Sequence, residues 1–374
     1  MAKYKIAWLP GDGVGVDVME AARGVLDAVG FEAEYVHGDI GWEFWKTEGN
    51  PLPDRTLDVL RSTDAALFGA ITSLPKEEAE AELVPALKGK GLVYRSPIVR
   101  LRQEFNLRTN RRPCFAYPGN PLNVQEGIDL VVFRENTEGM YAGVEFHPVP
   151  SGVRDALREH SAPFKKFDSV AAEDMAITCR VITRKGATSI IRDSFEYAKA
   201  HGYPNVTIVE KPNVLRETSG LMVRVAREVA KSYPGIELWE TNIDAMAMWL
   251  IKNPQNYGVL VCSNLFGDVM SDLCAQLVGG LGFAASGNIG DDYAVFEPTH
   301  GSAPKYAGQN KVNPTAMVLS AQMMLDWLGE KDMAARVRDA VAAVIAEGKA
   351  RTYDMGGSTT TSAMGEAIAA KVRG

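Results

Sequence analysis

A chain of 374 residues is too long for one small domain; it allows two units, or one large α/β body with an ample core. At 46% hydrophobic and 23% charged the composition is ordinary for a globular protein, and no apolar run reaches the roughly 18–20 residues that cross a bilayer. The net charge of −7 argues against nucleic acid as main partner and offers a membrane no basic face.

Met1 to Tyr4 run into a strand pattern without a secretory leader, so a cytoplasmic location is expected. Cys114, Cys179, Cys262 and Cys274 form no CxxC pair and read as buried free thiols. Tyr4–Pro10 is a strand pattern, Gly11 to Gly15 a turn, Val16–Val29 an amphipathic helix and Ala33–Val36 a second strand. Such an opening invites a dinucleotide-binding Rossmann reading. The GxGxxG spacing fails, however: the third glycine comes one residue early and Val16 holds its place.

Leu67 to Ser73 is another strand end, closing on a hydroxyl pair. Between Arg95 and Arg112, six arginines (95, 100, 102, 108, 111, 112) meet one acid, Glu104. A solvated basic helix or a partner surface is the ordinary explanation. Yet Pro97, Ile98, Val99 and Leu101 interleave the charges, and the i, i+7 spacing predicts Arg95 and Arg102 on one helical face. That suits several carboxylates of one ligand, because a guanidinium fork matches carboxylate geometry.

Asp129–Phe133 is a strand delivering Arg134 to Tyr141. His147 to Phe167, with prolines at 148, 150 and 163, reads as an excursion from the core. Ile177–Arg184 resumes a strand pattern, and Val206–Glu210 is a strand ending in Lys211-Pro212-Asn213-Val214. Thr241 to Asp244 open a Met/Trp-rich helix. Val259–Cys262 is a buried strand, Asn264 to Gly267 a turn, and a helix follows with Leu273, Leu277 and Val278 on its apolar side. Asp268 and Asp272 lie four apart and project from one face. Like charges at that spacing cost a few tenths of a kcal/mol, which a divalent cation reverses. Oxygen donors without His or Cys suit Mg²⁺ or Mn²⁺; two solvated aspartates are the plainer alternative. Glu297 to Gly308 is Gly/Pro-rich, and Asn313-Pro314 start a long helix through Leu328.

The collinear blocks LPGDGVG, RSPIVRLRQEFNL…RRP, FRENTEGMYAG, EKPNV, NIDAMAM, NLFGDVMSD, GGLGFAASGNIG and EPTHGSAPKYAGQNKVNP carry a resemblance. The chain resembles the metal-dependent decarboxylating dehydrogenases of the isocitrate/3-isopropylmalate dehydrogenase family over essentially its whole length. The resemblance implies an α/β two-domain fold that is not a Rossmann fold, with the active-site cleft between domains. Residues 1–107 plus 279–374 would form a large cofactor-binding domain. Residues 108–278 would form a small domain holding the dimer interface and, at about 146–170, an intersubunit clasp. It further implies a homodimer with shared active sites, in which Lys211 and Asp244 serve the neighbouring subunit.

By the same matching, Asp244, Asp268 and Asp272 are the metal ligands, and Ser96, Arg102, Arg112 and Arg134 bind substrate. Tyr141 and Lys211 are the catalytic acid–base pair; both would need lowered pKa values, supplied by nearby arginine and metal charges. Cofactor contacts are implied at Thr72, Glu297, His300, Lys305, Tyr306, Val312, Asn313 and Tyr353. Where NAD-using members commonly place an aspartate, this chain has Lys305 and then Tyr306, a pair suited to a 2′-phosphate, so NADP is favoured with NAD possible. Gly356-Gly357 stand where NADP enzymes often have a further arginine.

The implied reaction is oxidative decarboxylation of a di- or tricarboxylic 2-hydroxy acid with Mg²⁺ or Mn²⁺. Ser96 points to isocitrate, SPIVRLR also to homoisocitrate, and 3-isopropylmalate or a tartrate- or malate-type acid comes after them. Arg95 and Ser96 make a poor wall for an isopropyl group. A regulatory subunit without activity is disfavoured because Tyr141, Lys211, Asp244, Asp268 and Asp272 are all present. An RNA-binding basic patch is disfavoured by the lack of interleaved aromatics.

Overall fold

A computed structural model describes residues 2–374. Its strands are β1 (Tyr4–Gly11), β2 (Ala33–His37), β3 (Ala65–Ala70), β4 (Thr109–Phe115), β5 (Asp129–Glu135), β6 (Glu145–Phe146), β7 (Ile177–Thr178), β8 (Asn205–Glu210), β9 (Glu237–Asn242), β10 (Val259–Cys262), β11 (Ala285–Ile289) and β12 (Ala294–Pro298). Ten of them make one sheet in the order β2-β1-β3-β12-β11-β4-β5-β10-β8-β9. The outer pairs on both sides are parallel, as crossover helices require, and β12-β11-β4-β5 at the centre are antiparallel neighbours. This is an α/β fold without the Rossmann strand order.

Both faces are covered, so parallel strands such as β3, β8 and β10 are buried at every residue. One apolar core lies under helices Gly15–Val29, Thr315–Trp327, Lys331–Glu347 and Thr361–Arg373. Two more, one on each face, sit around β5, β10 and β8: one under Arg184–His201 and Thr218–Ala230, the other under Ile243–Lys252 and Asn264–Leu277. Cys114, Cys262 and Cys274 are buried as expected, and burial pushes all three thiols up; Cys179 is only half-buried.

Several sequence expectations shift. Ile177–Arg184 is not one strand: Ile177 and Thr178 pair with β6, Val181 makes an isolated bridge to Gly139, and a helix starts at Arg184, capped by the Thr183 hydroxyl. Asn264 to Gly267 are the first helical turn rather than a loop. Arg95 precedes the helix Pro97–Glu104 and is exposed, so it does not share a helical face with Arg102.

The glycines of the first loop serve packing. Gly13 has φ +56, and a Cβ there would lie 2.2 Å from the Ser302 carbonyl oxygen, which accepts the Val14 N–H at 2.9 Å. The loop is glycine-rich so that the 299–304 segment can approach it. Gly267 does the same for the helix Asn264–Leu277, where a Cβ would meet the Arg134 Cβ at 2.6 Å. Gly267→Ala therefore overpacks the helix against β5 and should cost about 1–3 kcal/mol. A lower urea midpoint at unchanged slope is expected, and an unchanged midpoint would show that the helix can move aside.

Candidate active site

The front of the antiparallel centre carries a cluster of charge. Alternation along β4 turns Asn110 and Arg112 toward the helix Asn264–Leu277, while Arg111 faces the other way and pairs with Asp326 at 3.9 Å. Arg134, near the end of β5, points to the same front face, and Arg102 arrives from the helix Pro97–Glu104. All three arginines are buried. Of the other basic residues in this stretch, Arg100 pairs with Asp54 and Glu104, and Arg108 with Asp193 and Asp291, so these are structural.

Each buried guanidinium has partners. Arg134 donates to the Asn264 amide oxygen from Nε and Nη2 at 3.0 and 2.9 Å, and from Nη1 to Asp268. Arg112 donates to Asn110 at 2.6 Å and Ser271 at 2.7 Å, and reaches Asp268 at 3.4 Å and Asp272 at 3.3 Å. Arg102 donates to the Asn288 amide oxygen at 2.9 Å and lies 3.4 Å from Glu297. That same Asn288 oxygen accepts from Asn110 and Asn136, at 2.9 and 3.0 Å. Asn110, Asn264, Ser271 and Asn288 were thus missed by sequence reasoning; all lie inside the recognised blocks or one strand from them, but a neutral amide gives no pattern of its own.

The charges remain out of balance. Burial lowers the pKa of Arg134, and Arg102 and Arg112 lower it further by repulsion. Burial lowers that of Arg102 as well, where Glu297 opposes and Arg112 adds to the fall. Burial would raise the Asp268 carboxyl, but Arg134 and Arg112 override it and hold the group below its usual range. Asp272 goes the other way: burial raises it, and Asp268 adds to the rise. Tyr141 donates to Asp268 at 2.6 Å and stands 4.9 Å from the Arg134 guanidinium. Its phenol is pushed up by burial and negative Asp268, which outweigh Arg134; the lowered value expected from the sequence counted a metal charge beside the arginine.

Asp244 and Lys211 do not join this cluster. They pair with each other, and the described residues hold no group of three His, Cys, Asp or Glu side chains able to take a metal. The topology explains why. β5, β10, β8 and β9 are parallel and end on one edge, and they deliver Arg134, Asp268, Lys211 and Asp244 in that spatial order. Asp244 follows a strand two places beyond β10, on the order of 10 Å along the edge. Asp268 and Asp272 alone still fit a hard cation: Mg²⁺ is commonly held by one or two carboxylates plus water and ligand oxygens.

The residues expected at the cofactor are partly gathered. Tyr306 and Tyr353 have ring centroids 5.4 Å apart; Lys305 sits 4.9 Å from the Tyr306 centroid. Lys311, which the sequence reading passed over, lies 5.6 and 5.1 Å from the two ring centroids. Two lysines over two phenols form a cationic, stackable surface that fits a phosphorylated nucleotide. His300 offers a buried Nε2 with no protein partner, and burial lowers its pKa, favouring the neutral ring. Thr72 shares a 2.6 Å hydrogen bond with Ser302, and its N–H donates to Asp12.

Other expected contacts are spent inside the fold. The Asn313 amide donates to Asp354 at 3.1 Å and accepts the Thr315 N–H, Val312 is buried, and Glu297 faces Arg102. Ser96 stands at the start of the helix Pro97–Glu104, half-buried, with no side-chain cap bond. A cavity of 700 Å³ lies behind the sheet, lined by Arg111, Phe115, Tyr197, His201 and Asp326 among others, and none of the charge cluster opens into it. Unbalanced buried charge, rather than enclosed volume, marks the site.

Residues 5–368 match the family model described as isocitrate/isopropylmalate dehydrogenase. The chain is 41% identical over 364 residues to Protein DlpA of Legionella pneumophila, covering 97% of this chain but 58% of that longer protein. It is 41% identical to the isocitrate/homoisocitrate dehydrogenase of Thermus thermophilus, across 98% of this chain and 97% of that one. The fold superposes on isocitrate dehydrogenase from Methylococcus capsulatus with a TM-score of 0.85 at 39% identity, covering 99% of this chain and 100% of that one. With matches of that extent, the chain belongs to the isocitrate/isopropylmalate dehydrogenase family, whose members are metal-dependent, NAD(P)-linked decarboxylating dehydrogenases.

Proposed function

We propose that the protein oxidises and decarboxylates isocitrate to 2-oxoglutarate and CO₂, with NADP⁺ as hydride acceptor and Mg²⁺ or Mn²⁺ at Asp268, Asp272 and Asp244 of the partner subunit. The observation that carries this is the set of three mutually repelling buried arginines beside two aspartates, a charge pattern relieved by a polycarboxylate bridged to a cation. Arg102, Arg112 and Arg134 hold the carboxylates, each already aimed by an amide or hydroxyl partner.

Lys211 Nζ of the partner subunit, steered by Asp244, receives the C2 hydroxyl proton. Lys305, Tyr306 and Lys311 would hold the dinucleotide, which would supply the hydride acceptor for C2; the carboxylate on C3 leaves as CO₂. The Tyr141 hydroxyl then gives a proton to C3 of the enolate that this loss leaves, yielding the 2-oxo acid. A bound divalent cation supplies positive charge beside the C2 oxygen, where negative charge grows.

A homodimer completes this reading. Met248, Ile251 and Val269, on the adjoining helices Ile243–Lys252 and Asn264–Leu277, are each more than half exposed. An isologous contact there would bury them and bring Lys211 and Asp244 near the other cluster. The segment 146–170 projects from the two-residue β6–β7 ladder, and its helix Ser151–His160 buries no residue of its own, as suits a clasp. The proposed domains, 1–107 plus 279–374 and 108–278, would meet at the β11–β4 junction, where only Gly287, Asn288 and Ile289 pair with Arg111, Asn110 and Thr109.

Homoisocitrate is the second reading. Exposed Arg95 next to half-buried Ser96 would offer a cation to a distal carboxylate one methylene further out. Assaying absorbance at 340 nm with isocitrate, homoisocitrate, 3-isopropylmalate and tartrate against NADP⁺ and NAD⁺ decides among them. Isocitrate with NADP⁺ is expected to give the highest kcat/KM, and no Mg²⁺-dependent turnover of any acid would sink the enzyme reading.

Asp268→Asn should lower kcat at millimolar Mg²⁺ at least a hundredfold, about 3 kcal/mol of lost charge stabilisation. A wild-type rate would remove Asp268 from the metal set. Lys305→Asp with Tyr306→Ile should turn preference toward NAD⁺. Lys311→Ala alone should raise KM for NADP⁺ about tenfold or more while moving KM for NAD⁺ little, since a charged hydrogen bond is worth about 1.5–3 kcal/mol. Equal effects on both nucleotides would refute the 2′-phosphate reading.

A further inference from the structure

Behind the reacting groups lies a second ion pair, buried at its carboxylate and largely covered at its guanidinium. Glu210 ends β8, is fully buried, and immediately precedes Lys211. One carboxylate oxygen accepts the Ser263 N–H at 2.9 Å; the other accepts from the Arg180 guanidinium at 2.9 Å and from the Ser219 hydroxyl. Arg180 donates in turn to the hydroxyls of Ser263 at 2.6 Å, Thr218 at 2.8 Å and Ser219 at 3.0 Å, and lies 5.0 Å from the Phe266 ring. Both charges are spent wholly within the chain, and neither touches the arginine–aspartate cluster.

What the pair joins is informative. Ser263 stands at the N-terminal end of the helix that carries Asp268 and Asp272, without a side-chain cap bond. Ser219 also receives the Lys211 N–H, at 3.3 Å. The residues flanking Arg180 grip the turn that bears Tyr141: Gly139 N–H donates to the Val181 carbonyl at 2.7 Å, and Cys179 N–H donates to the Val144 carbonyl at 2.9 Å. Three segments that deliver Tyr141, Lys211 and Asp268 therefore share one ionic node. A buried pair of this kind adds little net stability against an apolar replacement, so its worth lies in fixing geometry.

We infer that Glu210 and Arg180 are positioning residues that lock the half-site a subunit keeps, Tyr141 with Asp268 and Asp272, to the half-site it lends, Lys211 with Asp244. This rests on the shared-site reading above. A shift at the node would then disturb both active sites of the dimer at once: the subunit's own through the Tyr141 turn and the Ser263 helix, and the partner's through Lys211. Displacements on the scale of 1 Å are enough to cost about a hundredfold in rate.

Mixed dimers test it. Co-expressed, differently tagged Lys211→Met and Tyr141→Phe chains leave one intact site per heterodimer, made of Tyr141 from the first chain and Lys211 from the second. Arg180→Lys, which keeps the charge but loses the fork, is then placed on either chain in turn. Each placement is expected to cut kcat of the surviving site at least tenfold, with circular dichroism and dimer mass unchanged. If Arg180→Lys does not fold, Glu210→Gln, which keeps the volume and an acceptor for Ser263, takes its place with the same expectation. No activity in the parent heterodimer would sink the shared site and this proposal together. Activity in the parent that only one placement reduces, or neither, would sink the proposal alone.

Discussion

Arg102, Arg112 and Arg134 are buried side by side, and the repulsion among them is the constraint around which the front of the sheet is arranged. A buried guanidinium survives only if its donors are met and its charge is opposed. The fold meets the donors almost fully, through Asn110, Asn264, Ser271 and Asn288, but opposes the charge sparingly, with Asp268 shared between two arginines and Glu297 given to the third. Side chains selected for stability alone would not stop there. The residual positive field is what the proposed function assigns to a ligand with several negative charges, and the same reading gives a cation to Asp272, whose ionisation burial and Asp268 oppose.

The central strands explain how this set is assembled from distant sequence. Antiparallel pairing puts Asn110 of β4 opposite both Arg134 of β5 and Asn288 of β11, so three polar residues with sequence separations of up to 178 meet at one level of the sheet. The parallel strands beyond β5 then end along a single edge, where α/β folds generally place their ligands. Each successive strand carries its functional residue one spacing further out, and this is why a single chain cannot gather Asp244 with Asp268. In the dimer proposed above, a second copy supplies the missing arm.

Much of this was legible in the sequence. Asp268 and Asp272 could be singled out by their i, i+4 spacing after an apolar strand, although two solvated aspartates were the plainer alternative, and Arg102, Arg112 and Arg134 because their motifs are long and collinear. The broken glycine spacing correctly excluded a Rossmann loop, and the structure supplies its purpose in the approach of Ser302 to Gly13. Helix starts were less legible: Asn264 reads as a turn former, yet it opens a helix and spends its side chain on Arg134. Arg95 read as a helical neighbour of Arg102 because periodicity says nothing of where Pro97 starts the helix. Tyr141 and Lys211 could be named only through the resemblance; their pairing with opposite aspartates depends on strand order, which periodicity does not encode.

The same arrangement bears on why members of one family can act on different acids. The arginines, aspartates and amides of the cluster are interlocked: Asn288 alone joins Arg102, Asn110, Asn136 and Glu297. Changing any one of them strands buried polar groups elsewhere, at a cost of about 1–3 kcal/mol each. Ser96 and Arg95 carry no such obligations, since no side-chain cap bond ties the one and the other is exposed. Substitution there is cheap for the fold, and the proposed function puts the group on C3 beside it. Specificity can therefore drift at the start of the helix Pro97–Glu104 while the chemistry behind it stays fixed.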